Sequence, residues 1–75
     1  MTKKHQKALS EAQTKLNEAF ATVNEILEAE EETLDNMSDY QLDSERGEEV
    51  QNNVDLLEEA SGDIEDALDI IGDLL

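Results

Sequence analysis

The side chains this sequence supplies for chemistry are overwhelmingly carboxylates. Among 75 residues, 21 Asp and Glu stand against 5 Lys and Arg, with one His and no Cys, for a formal net charge of −16. Acid–base catalysis needs a carboxyl desolvated in a cleft, and nothing in so short and evenly polar a chain builds one. His5 sits among lysines near the start, and Ser10, Ser38, Ser44 and Ser61 have no neighbouring base to activate a hydroxyl. Without thiols there are no cysteine nucleophiles, disulfides or thiolate metal sites. An EF-hand loop also fails, because the best window, Asp35–Tyr40, puts Tyr40 where the turn needs glycine. Asn36-Met37-Ser38 fits a glycosylation sequon, which is read as coincidence because no secretory leader is recognisable. The sequence therefore predicts a protein that is not an enzyme and uses no metal or cofactor.

Carboxylates that do not catalyse can still bind, and these are unevenly placed. Residues 1–24 hold Lys3, Lys4, Lys7 and Lys15 against Glu11 and Glu18, a net +2, whereas residues 25–75 hold 19 acids against Arg46 alone, a net −18. The candidate partner-binding surface comprises Glu25, Glu28, Glu31, Glu32 and Asp35, followed by Glu48, Glu49, Asp55, Glu58, Glu59, Asp63, Glu65, Asp66, Asp69 and Asp73. Solubility asks a small domain for a net charge of only about 2–8, and surplus like charge costs self-repulsion. Such a surface repels nucleic acid and anionic lipid, so its natural partner is a basic protein.

Helices must position these acids. The chain has no proline, and glycine occurs only at 47, 62 and 72. Apolar residues recur at Leu9, Leu16, Val23, Ile26/Leu27, Leu34 and Met37, and again at Val50, Val54, Leu57, Ile64, Leu68 and Ile71, the spacing of one helical face. Ser38 with Gln41 has capping-box spacing, and Asp43-Ser44-Glu45 offers a second helix start. The predicted fold is all-α: a single antiparallel helical hairpin over residues 1–75, with helix one about 3–36, a turn about 37–43 and helix two about 44–74. Gly62 is expected either to be tolerated where the neighbouring helix comes close, or to break helix two at Ser61-Gly62-Asp63. Because the apolar stripes are wider than one neighbour covers, dimerisation into a four-helix bundle is expected. Its seam would be Leu16, Val23, Leu27, Leu34, Val50, Val54, Leu57, Ile64, Leu68 and Ile71.

The longest apolar run, Ile70-Ile71 in the predicted second helix, is far too short to span a membrane, and a cytoplasmic homodimer is the default expectation. A dimer would place 32 charges on a bundle about 50 Å long, about one per 1.6 Å, against one per ≈1.7 Å for duplex DNA. Asp43-Ser44 resembles the first two residues of the Asp-Ser-Leu motif of acyl carrier proteins, but Glu45 replaces the apolar third and two long stripes replace several short helices. Glu30-Glu31-Glu32 through Asp35-Asn36-Met37, then Ser44-Glu45-Arg46-Gly47-Glu48 and an acidic Leu/Ile/Ala-patterned helix, resemble small uncharacterised phage and prophage proteins. By charge and size the chain is also similar to phage-encoded DNA mimics, including anti-restriction and anti-CRISPR proteins. That resemblance implies an inhibitor of a DNA- or RNA-binding protein. The alternatives are a structural or adaptor module acting through its apolar stripe, or an antitoxin-like binder of one basic protein.

Overall fold

The computed structural model describes residues 1–75, all helical outside short connections: α1 spans Lys3–Asp35, α2 Asp39–Leu42 and α3 Glu45–Leu74. Local chemistry sets each boundary. Thr2 is extended and its hydroxyl accepts from the His5 N–H at 3.2 Å, satisfying one free donor at the start of α1. Within α1, the hydroxyls of Thr14, Thr22 and Thr33 donate to the carbonyls of Ser10, Glu18 and Ala29 at 3.0–3.2 Å. That is how a β-branched polar residue satisfies its hydroxyl inside a helix. α1 stops at Asn36, whose N–H donates to the Glu32 carbonyl while the Met37 N–H donates to the Leu34 carbonyl, each at 3.1 Å.

The connection contains more structure than a turn. Ser38 and Gln41 form the reciprocal capping box: the Gln41 N–H reaches Ser38 Oγ at 3.2 Å, and the Ser38 N–H reaches Gln41 Oε1 at 2.9 Å. This closes one turn of helix, α2. Ser44 then works in both directions, its hydroxyl donating to the Gln41 carbonyl and accepting from the Gly47 N–H at 3.3 Å. The end of α2 and the start of α3 are thereby joined by one side chain.

Packing holds α1 and α3 side by side. α1 alone is about 50 Å long at 1.5 Å per residue, and the whole Cα trace measures 58 × 14 × 14 Å, a long and extended helix pair. Contacts descend one helix as they climb the other: Leu34 shares a groove with Gly47 and Gln51, Ile26 with Asn53 and Leu57, and Asn24 meets Ser61. That last meeting is a hydrogen bond, Ser61 Oγ donating to Asn24 Oδ1 at 2.7 Å in a half-buried position. A polar pair among apolar neighbours fixes axial register, since sliding the helices would strand both groups.

Two glycines behave differently from what their sequence positions suggest. α3 runs unbroken through Gly62, which is exposed, and a Cβ built there would meet nothing within 4 Å. No helix approaches closely at that point, so the close-approach explanation does not hold, and neither does the break. Gly62→Ala should stabilise the chain by up to about 1 kcal/mol, the helix propensity difference; a rise in urea midpoint checks it, and a fall would contradict it. The close approach is instead at Gly47, which is buried, where α2 crosses the start of α3.

The hydrophobic core is correspondingly small. Only Val50 and Val54 among apolar residues are buried, at 0% and 5% exposure. Leu9, Leu16, Phe20, Val23, Leu27, Leu34, Leu57, Ile64, Leu68 and Ile71 are half-buried along the α1–α3 contact. A pair of helices has no third neighbour, so each apolar stripe is covered on one flank only.

Candidate functional site

The fold carries the carboxylates outward. Of the fifteen in the candidate surface, five lie on the last third of α1 and ten on α3; all are exposed except Glu31, which is half-buried. Glu30, the charged interruption of α1's apolar stripe, is also half-buried. It lines one open groove with Ile26, Asn53, Leu56 and Leu57, and another with Glu25, Thr33 and Arg46. Neutralisation within the chain is minimal. The single ion pair joins Arg46 Nη1 to Glu49 Oε2 at 3.9 Å with both side chains about two-thirds exposed, and such pairs contribute little.

The α1–α3 register redistributes the charge along the long axis. At the level of the Asn24–Ser61 bond the molecule divides into a turn end and a terminal end. The turn end, residues 25–60, holds 14 acids against Arg46, a net −13. The terminal end, residues 1–24 with 61–75, holds 7 acids against 4 lysines, a net −3. Taking the rise from Lys3 to Asn24 off the 58 Å axis leaves about 26 Å for the turn end. Its charge spacing is therefore about 2 Å, close to the ≈1.7 Å of duplex DNA, and a single chain reaches it.

Helix electrostatics do not explain this placement. Negative charge is favoured at a helix N-terminus and positive charge at the C-terminus. α1 has no acid in its first turn and no base in its last; it begins with Lys3 and Lys4 and ends with Glu32 and Asp35. α3 is favourable at its start, with Glu45 and Glu48, yet its last turn holds Asp73 and no base. Three of these four helix ends lack the charges that would stabilise them. Because the cost is electrostatic, stability should rise with salt: going from about 0.01 M to about 1 M shortens the screening length from about 30 to 3 Å. Thermal melts followed by circular dichroism should show a higher midpoint at the higher concentration, and a lower one would contradict this.

No family model, curated protein or solved structure matches this chain. What the acids can do follows from their own geometry. They stand on a convex rod whose three grooves are shallow and open, and no group of three or more acids or histidine converges as a ligand set. No helix is long and apolar enough to cross a membrane. The arrangement can attract and align a basic surface by charge spacing, without enclosing a small molecule.

All ten residues of the candidate seam lie on the faces that α1 and α3 turn toward each other, either buried (Val50, Val54) or half-buried. Outside that seam, Leu56 and Ile70 are 56% and 64% exposed and Ile26 is 47% exposed. Leu56 and Ile70 fall outside the 4–3 spacing of the seam. Gly47 and the Asn24–Ser61 bond went unread, since neither departs from an ordinary helical pattern.

Proposed function

We propose that this chain is an acidic nucleic-acid mimic that binds and inhibits a basic DNA- or RNA-binding protein by occupying its nucleic-acid groove. The observation that carries the proposal is the turn end, where carboxylates are spaced nearly as closely as duplex phosphates and only Arg46 opposes them. The unfavourable charges at both ends of α1 support it, because acids placed against helix stability need another reason to be there. In this reading the helix pair is an antiparallel hairpin that joins a second copy in a four-helix bundle. It works in the cytoplasm, in the manner of phage counter-defence inhibitors, with no catalysis and no direct contact with nucleic acid. Opposite fields would steer a fast and salt-sensitive association.

The test is retention of a basic protein from native-host extract on the immobilised chain, followed by elution with duplex DNA or RNA at constant ionic strength. Elution by nucleic acid, but not by an equal charge of a flexible polyanion such as polyglutamate, is the expected result. Equal elution by both would reduce the surface to a generic polyanion. A second reading, a structural module acting through its apolar surface, is favoured by the exposed Ile26, Leu56 and Ile70. It predicts a partner that neither polyanion elutes.

A further inference from the structure

We infer that the two-helix face carrying Ile26, Leu56, Ala60, Ala67, Ile70 and Leu74 is covered by a second copy of this chain lying end over end, its turn end beside the other's terminal end. This specifies the self-pairing proposed above and rests on it. On α3, positions 56, 60, 67, 70 and 74 follow the same alternation of fours and threes as the inner seam, displaced to one flank of it. Ile26 of α1 lines the same groove as Leu56, so the two helices present one shared apolar strip. Ile26, Leu56, Ile70 and Leu74 are between 47% and 64% exposed along it.

The extended helix pair leaves enough surface open to seat a second copy. A compact monomer of 8.4 kDa exposes about 4,600 Å², whereas this chain exposes 5625 Å². The excess of about 1,000 Å² is what one partner contributes to a standard interface, about 800 Å². With two buried apolar side chains, the isolated pair also has less core than a small domain needs.

Charge sets the direction of the second copy, and the exposed lysines give it one complementary contact. With Asn24 beside Ser61, α1 extends back 21 residues to Lys3 while the chain continues only 14 beyond Ser61, to Leu75. The start of α1 therefore overhangs by about 10 Å, and residues 1–8, with Lys3, Lys4 and Lys7, are all exposed. Aligned end to end in the same sense, two copies would put −13 beside −13. Reversed, each end pairs −13 with −3 and sets the lysine overhang along the acidic turn of the other copy. A two-fold, isologous contact follows. The paired rod then carries 32 charges over 58 Å, about one per 1.8 Å throughout its length, where the single chain reaches comparable density at one end only.

Sedimentation equilibrium at micromolar concentration should give twice 8.4 kDa for the unmodified chain and 8.4 kDa for the L56E/I70E double variant. Both residues are more than half exposed in the single chain, so the substitutions leave the α1–α3 contact alone. Because the chain has no cysteine, Tyr40→Cys and Lys4→Cys accept single dyes at opposite ends without touching the strip. Mixed dimers with a donor at position 40 should transfer energy strongly to an acceptor at position 4, and weakly to one at position 40. A monomeric unmodified chain would overturn the face together with the four-helix bundle. A double variant that still dimerises would overturn the face, and strong transfer between two labels at position 40 would overturn the direction. None of these readouts involves nucleic acid or a target, so they succeed or fail independently of the mimicry.

Discussion

Reversing four carboxylates of α3 together, Glu58→Lys, Glu59→Lys, Asp66→Lys and Asp69→Lys, should abolish binding to the basic target while making the chain more stable. The four changes move the net charge from −16 to −8. All four side chains are exposed, so no packing is lost. Each new lysine lies within reach of acids one helical turn away, such as Asp55 and Glu65, turning like-charge repulsion into attraction of about 0.2–0.5 kcal/mol per pair. Binding should fall by more than about a hundredfold, since charge pairs across such interfaces are worth well over 1 kcal/mol each. Titration by fluorescence anisotropy and urea denaturation of the same preparation read the two effects side by side. Unchanged binding would mean that the acids only solvate the helices, and the apolar-surface reading would take precedence.

The second large effect is at Gly47. A Cβ there would overlap the carbonyl oxygens of Gln41 and Leu42 and lie 2.7 Å from the Leu42 carbonyl carbon. These are backbone atoms of α2 and cannot rotate aside. Gly47→Ala must therefore push α2 off the start of α3 and break the Ser44 links to Gln41 and Gly47. Overpacking of this kind costs about 1–3 kcal/mol, much of the about 3–5 kcal/mol a core of this size supplies. A fall in thermal midpoint with loss of helicity is expected, opposite in sign to Gly62→Ala. Equal responses at the two glycines would contradict the packing described for the connection.

The contrast between those glycines shows what sequence can and cannot carry. Helix extents were legible because uninterrupted 4–3 spacing and the absence of proline leave no competing local structure: α1 at Lys3–Asp35 and α3 at Glu45–Leu74 fall within a residue of the expected 3–36 and 44–74. The Ser38–Gln41 capping box was legible too, since its chemistry is set by three-residue spacing alone. Which glycine is sterically required was not, because that depends on where α2 lands. The Asn24–Ser61 bond was hidden for the same reason, as residues 37 apart meet only once the register is set.

At the candidate site, the acids point outward because the spacing that buries Val50 and Val54 leaves Glu58, Glu65, Asp66 and Asp69 on solvent-facing positions. Their concentration at the turn end could not be read from the linear order. It arises because the acidic end of α1 lies beside the first half of α3, while Lys15 lies beside α3's last half and Lys3, Lys4 and Lys7 extend past its end. Leu56 and Ile70 escaped notice because Asp63 interrupts their stripe, and only the exposure left by a two-helix pair singles them out.

The central claim is competitive occupancy of a nucleic-acid groove, and the most direct measurement is displacement. With the retained basic protein bound to a fluorescent duplex or RNA, increasing amounts of this chain should lower the anisotropy to that of free nucleic acid. The apparent affinity should weaken in proportion to the chain added, and gel filtration should show chain and target together without nucleic acid. A stable complex containing target, nucleic acid and this chain at once would contradict the account.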